Sequence, residues 1–169
     1  KCEAAAKSGA ASKLSTKEFV YVRDASQLSL GDTIIIVCDG VALSTEQRPN
    51  NRGAAAVSVL DGKLHSPSPN VQKIVLKRGA SKGTVAFDVC DGYLYAASSS
   101  GNFLRTQSSV DGNASWLLKV DKNGAADISA NGSSTRKLLR YNATAKIFAC
   151  YANGQKTVMI FAKSPASTK

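Results

Sequence analysis

The chain has very little histidine: His65 is the only one among 169 residues. A hydrolase triad, a cysteine–histidine pair and a histidine-based metal site would each need this one residue. It lies in the loop sequence GKLHSPSPN, and its surroundings offer no HExxH, GxxxxGK[ST] or EF-hand pattern. Turn chemistry accounts for the acidic residues of the DG turns, such as Asp39 and Asp91, without a paired-carboxylate site. We therefore expect an exposed loop histidine, no catalytic residues, no metal and no cofactor.

The sequence also lacks a long apolar run. The longest, around Ile34 to Val37, has the length of a strand and falls far short of the ~20 residues that cross a bilayer. No signal peptide is visible, although a mature secreted chain would have lost one. We expect no transmembrane segment and a secreted or cell-surface location, with any signal peptide removed.

Cysteine is sparse, and none of its spacings is of the CxxC type. Cys38, Cys90 and Cys150 lie in apolar, strand-like runs, where buried free thiols are common. We expect buried free thiols there, with one disulfide as the alternative for an extracellular chain. Cys2 as a lipidated N-terminal cysteine would tether the chain to a membrane, but Lys1 precedes it.

Negative charge is scarce relative to positive charge. Lys and Arg number 22 against 12 Asp and Glu, which gives a net charge of +10. Such a balance favours nucleic acid or another polyanion as a partner, or simply a solvated basic surface. No run of five or six like charges marks a dedicated binding arm. We expect the solvated surface and keep polyanion binding as the alternative.

What the sequence has is a series of short β runs separated by DG, NG, SG and RG turn signals. Residues 1–17 are rich in Ala, Ser and Lys and predict a flexible tail or linker, and residues 164–169 predict a loose C-terminus. Between them, residues 18–163 predict one all-β domain, with a single helical turn near Asp24 as its cap. The predicted strands are EFVYVRD, TIIIV, VALST, AAAVSV, QKIVLKR, TVAFDV, YLYAASS, FLRTQ, SWLLKV, AADISA, KLLRYN, IFACYA and TVMIFAK.

After the first strand, the others form three groups of four, at about 32–79, 83–124 and 125–163. Leu43, Leu94 and Leu139 occupy matching positions in these groups. About ten residues later come Ala55, Leu104 and Phe148, and then Val75, Leu117 and Met159. A propeller needs at least four blades, whereas three four-stranded units fit a closed barrel with a hairpin cap.

The stretch YLYAASSSGNFLRTQ resembles the repeat pattern of β-trefoil proteins, (Y/F)L-x-A…G-x-L. The sequence is also similar to β-rich C-terminal modules of secreted bacterial surface proteins and extracellular nucleases. The resemblance implies a β-trefoil and a binding function. The QxW signature of ricin-type repeats is missing, so no galactose site is carried over from that family.

Polar and aromatic residues on hairpin tips are the candidate ligand-binding groups, because loops on a rigid β scaffold carry recognition. Tyrosine faces with amides, carboxylates and arginines suit a sugar, whereas Trp116 at the start of a fourth strand predicts a core residue. The expected function is a non-catalytic, carbohydrate-binding or adhesion module that recognises a glycan or another cell-surface ligand. The alternatives are a basic nucleic-acid-binding or polyanion-binding accessory domain and a protein-interaction scaffold. The candidate binding residues are Asp91, Tyr93, Tyr95, Asn102, Arg105, Gln107, Gln47, Arg48, Asn51, Arg140, Tyr141 and Asn142.

Overall fold

The computed structural model describes residues 14–165, which form an all-β structure with two one-turn 3₁₀ helices, η1 and η2. The strands are β1 Phe19–Tyr21, β2 Thr33–Cys38, β3 Val41–Gln47, β4 Arg52–Ala56, β5 Ser58–Leu60, β6 Lys63–His65, β7 Ile74–Arg78, β8 Val85–Asp88, β9 Tyr93–Ala96, β10 Leu104–Gln107, β11 Trp116–Val120, β12 Ala126–Ala130, β13 Leu138–Asn142, β14 Ile147–Tyr151 and β15 Met159–Lys163. The helices are η1 Ala25–Gln27 and η2 Gly112–Ala114.

Six strands close into a ring. β2 pairs with β7, β7 with β8, β8 with β11, β11 with β12, and β15 with β2, all antiparallel. The ring closes where Ala126 of β12 bridges Val158, directly before β15. Alternate side chains of a strand point to one face, so each ring strand directs its apolar side chains into the same interior. Trp116 is fully buried there and stacks on Phe87 at 5.2 Å between ring centroids, which confirms its predicted core position.

Three hairpins follow the ring strands β2, β8 and β12. They are β3–β4, β9–β10 and β13–β14. Leu43, Leu94 and Leu139 lie on the first strand of each hairpin and are all fully buried in the main core. Leu117 differs from its sequence matches and is 36% exposed, because its neighbour Trp116 takes the inward position on β11.

A fourth hairpin, β5–β6, was not predicted. The sequence pattern joins residues 54–59 into one strand, but β4 ends at Ala56 and β5 is exposed throughout. Asp61 and Gly62 both have positive φ (54° and 72°), as a two-residue hairpin turn requires. β6 then pairs with β1 outside the ring. His65, expected in a loop, is exposed as predicted but ends β6.

The ends of the described segment contact the domain. Leu14 packs against the main core, and the Ser164 amide donates to the Ser15 carbonyl at 2.7 Å. η1 begins as predicted after Asp24, whose carboxylate accepts from the Ser26 amide at 2.9 Å. Residues 1–13 and 166–169, and with them Cys2 and most of the predicted tails, lie outside the described residues. Within residues 14–165, no helix has the length and apolar character that crossing a membrane requires.

Candidate functional site

Two regions that the sequence presents separately are neighbours in the fold: residues 44–53 of the first group and hairpin β9–β10 of the second. The Leu104 amide donates to the Asn50 carbonyl at 2.9 Å. The Gln47 side-chain amide donates to the Leu104 carbonyl at 3.0 Å, and Arg105 Nε donates to the Pro49 carbonyl at 2.9 Å. These bonds fix the loop of one hairpin against the second strand of the next.

Arg52, the first residue of β4, organises this junction from the inside. It is only 3% exposed. Its guanidinium donates to Gln47 Oε1 at 2.8 Å, to the Ser44 carbonyl at 3.0 Å, to Gln72 Oε1 at 2.8 Å and to Thr106 Oγ1 at 3.2 Å. All four acceptors are neutral, and among the described residues no carboxylate forms an ion pair with Arg52. The charge is therefore hydrogen-bonded but not neutralised.

Burial lowers the pKa of the Arg52 guanidinium from 12.5 to about 10, because the charged form loses hydration. The nearby charge of Asp91 acts in the opposite direction and raises it. At neutral pH the guanidinium is still protonated, and it projects a positive potential toward the surface next to it.

That surface is a cleft of about 560 Å³, here called the Arg52 cleft. Its volume lies in the range of small-molecule sites. Both groups contribute to it: Thr45, Gln47 and Arg52 come from the first, and Asp91, Gln107 and Ser108 from the second. Within residues 14–165, the side chains of Thr45, Asp91 and Ser108 make no hydrogen bond. The Arg52 cleft thus presents a carboxylate and two hydroxyls that are open to a ligand.

Cys90 also lines the Arg52 cleft and corrects the expectation of a buried free thiol. β8 ends at Asp88, whose carboxylate accepts from the Cys90 amide at 2.8 Å. Cys90 follows in an exposed turn with φ 81° and is disulfide-bonded. Cys38 and Cys150 are buried and free, as predicted.

The outer face of β9 borders the Arg52 cleft. Tyr93 and Tyr95 are half-buried on this face, while Leu94 between them is fully buried. Tyr93 lies opposite Gln107, which lines the cleft, and Tyr95 lies opposite Arg105. Neither tyrosine hydroxyl makes a hydrogen bond within the described part of the chain. Five predicted residues, Asp91, Tyr93, Tyr95, Arg105 and Gln107, are therefore brought together on one side of the hairpin.

The other predicted residues of the first and second groups mainly hold loops in place. Gln47 is fully used by its bonds to the junction. Arg48 pairs with Glu46 at 3.1 Å, and the Asn51 carbonyl accepts from the Arg48 amide at 2.9 Å. Asn102 is exposed and accepts from Arg136 Nη1 at 2.8 Å, so it points toward the third group.

The third group does not supply a matching set. Tyr141, predicted as a ligand residue, is a core residue instead: it is 5% exposed and packs on Phe148 at 4.8 Å. Burial, followed by the charge of Asp39, raises the pKa of its phenol. Arg140 donates to the Gly154 carbonyl at 2.9 Å and lies 3.4 Å from Asp127. Asn142 Oδ1 accepts from the Ala145 amide at 3.0 Å and closes the β13–β14 turn.

Two features escaped the sequence interpretation. No pattern in the sequence marks Arg52 as buried, since two of its four acceptors, Gln72 and Thr106, come from other segments of the chain. The turn GASKG, residues 79–83, matches the GxSxG pattern of hydrolases, but it joins two strands, β7 and β8, rather than a strand and a helix. Ser81 Oγ accepts from Asn131 at 3.2 Å, and His65 lies on β6, which pairs with β1 and β5.

Neither the protein-family models nor the curated proteins compared with the chain match its sequence.

Proposed function

We propose that this chain is a non-catalytic β-trefoil module that binds carbohydrate in the Arg52 cleft and on the adjoining face of β9. The trefoil assignment is supported by the closed ring of β2, β7, β8, β11, β12 and β15 and by one hairpin in each four-stranded group. In this scheme β5–β6 is an insertion between the third and fourth strands of the first group. A structure without approximate threefold symmetry would contradict the assignment.

Carbohydrate is supported as the ligand class by one observation: polar groups without partners in residues 14–165 lie beside two half-buried tyrosines. Sugars combine hydroxyls, which need acceptors and donors, with an apolar ring face that packs on aromatic side chains. The Asp91 carboxylate is an acceptor for sugar hydroxyls, and Thr45 and Ser108 are both donors and acceptors. Tyr93 and Tyr95 offer ring surface and free phenol groups on the same side of hairpin β9–β10.

A secreted or cell-surface location is part of the proposal. The disulfide at Cys90 supports it, because disulfides persist in oxidising compartments and are rare in reducing ones.

A polyanion is the second candidate ligand, and one observation favours it. Arg52 is a buried charge that no carboxylate of residues 14–165 pairs with, in a chain whose net charge is +10. An anionic group entering the Arg52 cleft would neutralise it, and binding of this kind weakens as salt rises.

The test is a glycan array probed at low and at physiological salt. We expect binding to a neutral glycan that does not change with salt and that is lost in Tyr93→Ala and Tyr95→Ala. Arg140→Ala is the matched control, because Arg140 lies outside the Arg52 cleft. Binding confined to anionic glycans at low salt would favour the polyanion instead. No binding under either condition would contradict both and leave a protein-interaction scaffold.

A further inference from the structure

A second cavity, of about 580 Å³, lies at the turn between β7 and β8 and shares no lining residue with the Arg52 cleft. We call it the turn cavity. It forms where the segment after η1 crosses the ends of β7 and β11, and the Gly31 amide holds that segment in place by donating to the Leu76 carbonyl at 2.8 Å. The size fits a small organic ligand.

Large apolar side chains form part of the lining of the turn cavity. Leu76 and Trp116 are buried at its base, and Leu28, Leu30 and Leu118 are half-buried along its sides. Half-buried leucines that face a concave space leave apolar surface in contact with water. Covering such surface is favourable by about 25 cal/mol per Å², so the turn cavity attracts an apolar body.

The mouth of the turn cavity is positively charged. Arg78 and Lys82 are exposed there, and neither forms a hydrogen bond or an ion pair within residues 14–165. Among the residues that the structure describes, no acidic side chain lines the cavity. The amides of Gly79, Ser81 and Thr84 donate within the turn, and the Ala80 amide donates to Ser115 Oγ. The backbone amides of Lys82 and Gly83 have no acceptor in the described chain.

The chain's own N-terminal residues carry the wrong charge for this mouth. Residues 1–13 contain Lys1, Lys7 and Lys13 against Glu3 alone. The free cations and amides therefore favour an external anion.

We propose that the turn cavity binds a small organic anion with an apolar body, of the type of a medium-chain carboxylate. The hydrocarbon part lies against Leu28, Leu30 and Leu118. The carboxylate accepts hydrogen bonds from Arg78, Lys82 and the amides of the turn, and such charge-assisted bonds are the strong ones. This site is independent of carbohydrate binding in the Arg52 cleft.

The experiment is a titration of the full chain with decanoate, followed by the fluorescence of Trp116. This residue is the chain's only tryptophan and lines the turn cavity, so the signal reports this site. We expect a saturable change, and we expect decanol and decyltrimethylammonium to bind about tenfold more weakly or worse, since they lack the negative headgroup.

Charge reversal locates the headgroup. Arg78→Glu and Lys82→Glu change exposed side chains, and each is expected to weaken decanoate binding about tenfold or more through repulsion at the mouth. Lys122→Glu is the matched control, because Lys122 is exposed but does not line the turn cavity, and it should leave binding unchanged.

A second measurement follows the methyl resonances of Leu28, Leu30 and Leu118 in the same titration, and all three should shift with decanoate. The proposal is overturned if no saturable change occurs in either measurement, if the neutral and cationic probes bind equally well, or if Lys122→Glu weakens binding as much as Lys82→Glu.

Discussion

The hairpins β9–β10 and β13–β14 both contain tyrosine and arginine and each follows a ring strand, yet they leave very different surfaces. On β9, Tyr93 and Tyr95 are half-buried, and their hydroxyls make no hydrogen bond within residues 14–165. On β13, Tyr141 is buried against Phe148, and Arg140 is held by Asp127 and the Gly154 carbonyl. The same residue types stay partly exposed in one hairpin and are taken up by packing and ion pairing in the other.

The difference comes from register. In YLYA the leucine takes the inward position and both tyrosines point outward, whereas in LLRYN Leu139 and Tyr141 both face inward and Arg140 lies between them. A one-residue change in where the tyrosine stands moves it to the opposite face of a strand. Composition alone thus does not locate a binding surface, but the alternation along each strand does.

The largest expected contrast is between the two arginines. Arg52→Ala should lower the free energy of unfolding by about 3 kcal/mol or more, because it leaves several buried acceptors unpaired at about 1–3 kcal/mol each. Arg140→Ala should cost about 1 kcal/mol, since its partner Asp127 is half exposed and remains hydrated. Urea unfolding of both variants measures this. Equal losses would mean that Arg52 does not hold the junction.

The tyrosines give a smaller contrast. Tyr141→Leu should destabilise by about 1–2 kcal/mol, because the packing on Phe148 is lost from a filled core. Tyr93→Leu should stay within about 0.5 kcal/mol, as is usual for surface changes. Thermal unfolding of the pair gives the difference, and a larger loss for Tyr93→Leu would place it in the core.

The cysteines should differ without any mutation. Cys90 is exposed, so after reduction it should be alkylated in the native protein at neutral pH. Cys150 is fully buried and should react only after unfolding. Peptide mass mapping after a short iodoacetamide pulse distinguishes them, and rapid native labelling of Cys150 would contradict the described core.

The buried Cys150 thiol should also make the free energy of unfolding depend on pH, with a smaller effect. Burial raises the pKa of the Cys150 thiol, so the native state keeps it protonated where the unfolded chain ionises it. The stabilising contribution is complete below the ordinary thiol pKa of 9.0 and is lost as the pH rises above that value. Cys150→Ala should therefore show a flatter decline of unfolding free energy at alkaline pH than the unchanged chain, as denaturant titrations at several pH values would reveal.

Most strands could be predicted from sequence because their side chains alternate between core and solvent. The inward leucines Leu43, Leu94 and Leu139 were matched across the groups for this reason. The β5–β6 hairpin was missed because β5 is exposed throughout and has no such alternation, although Asp61-Gly62 is a turn signal.

The candidate site could be predicted only in part. The outer face of β9 follows from the alternation of side chains along the strand. Five residues on this side of hairpin β9–β10 were named from the sequence. The junction with residues 44–53 depends on contacts such as Gln47 with Leu104 and Arg52 with Thr106, between residues more than fifty positions apart. No local pattern encodes such contacts, so both the burial of Arg52 and the existence of its cleft required the structure.

The most direct test of the central claim compares two carboxylates, one in each region, against a glycan that binds the unchanged chain. Asp91→Asn removes the negative charge of the Arg52-cleft carboxylate that has no hydrogen-bond partner within residues 14–165, and Asp127→Asn removes the charge of a carboxylate already engaged by Arg140. Calorimetric titration should show binding weakened about tenfold or more by Asp91→Asn, as expected for a charged hydrogen bond, and unchanged by Asp127→Asn. Equal affinity in both variants, or a loss confined to Asp127→Asn, would contradict the account.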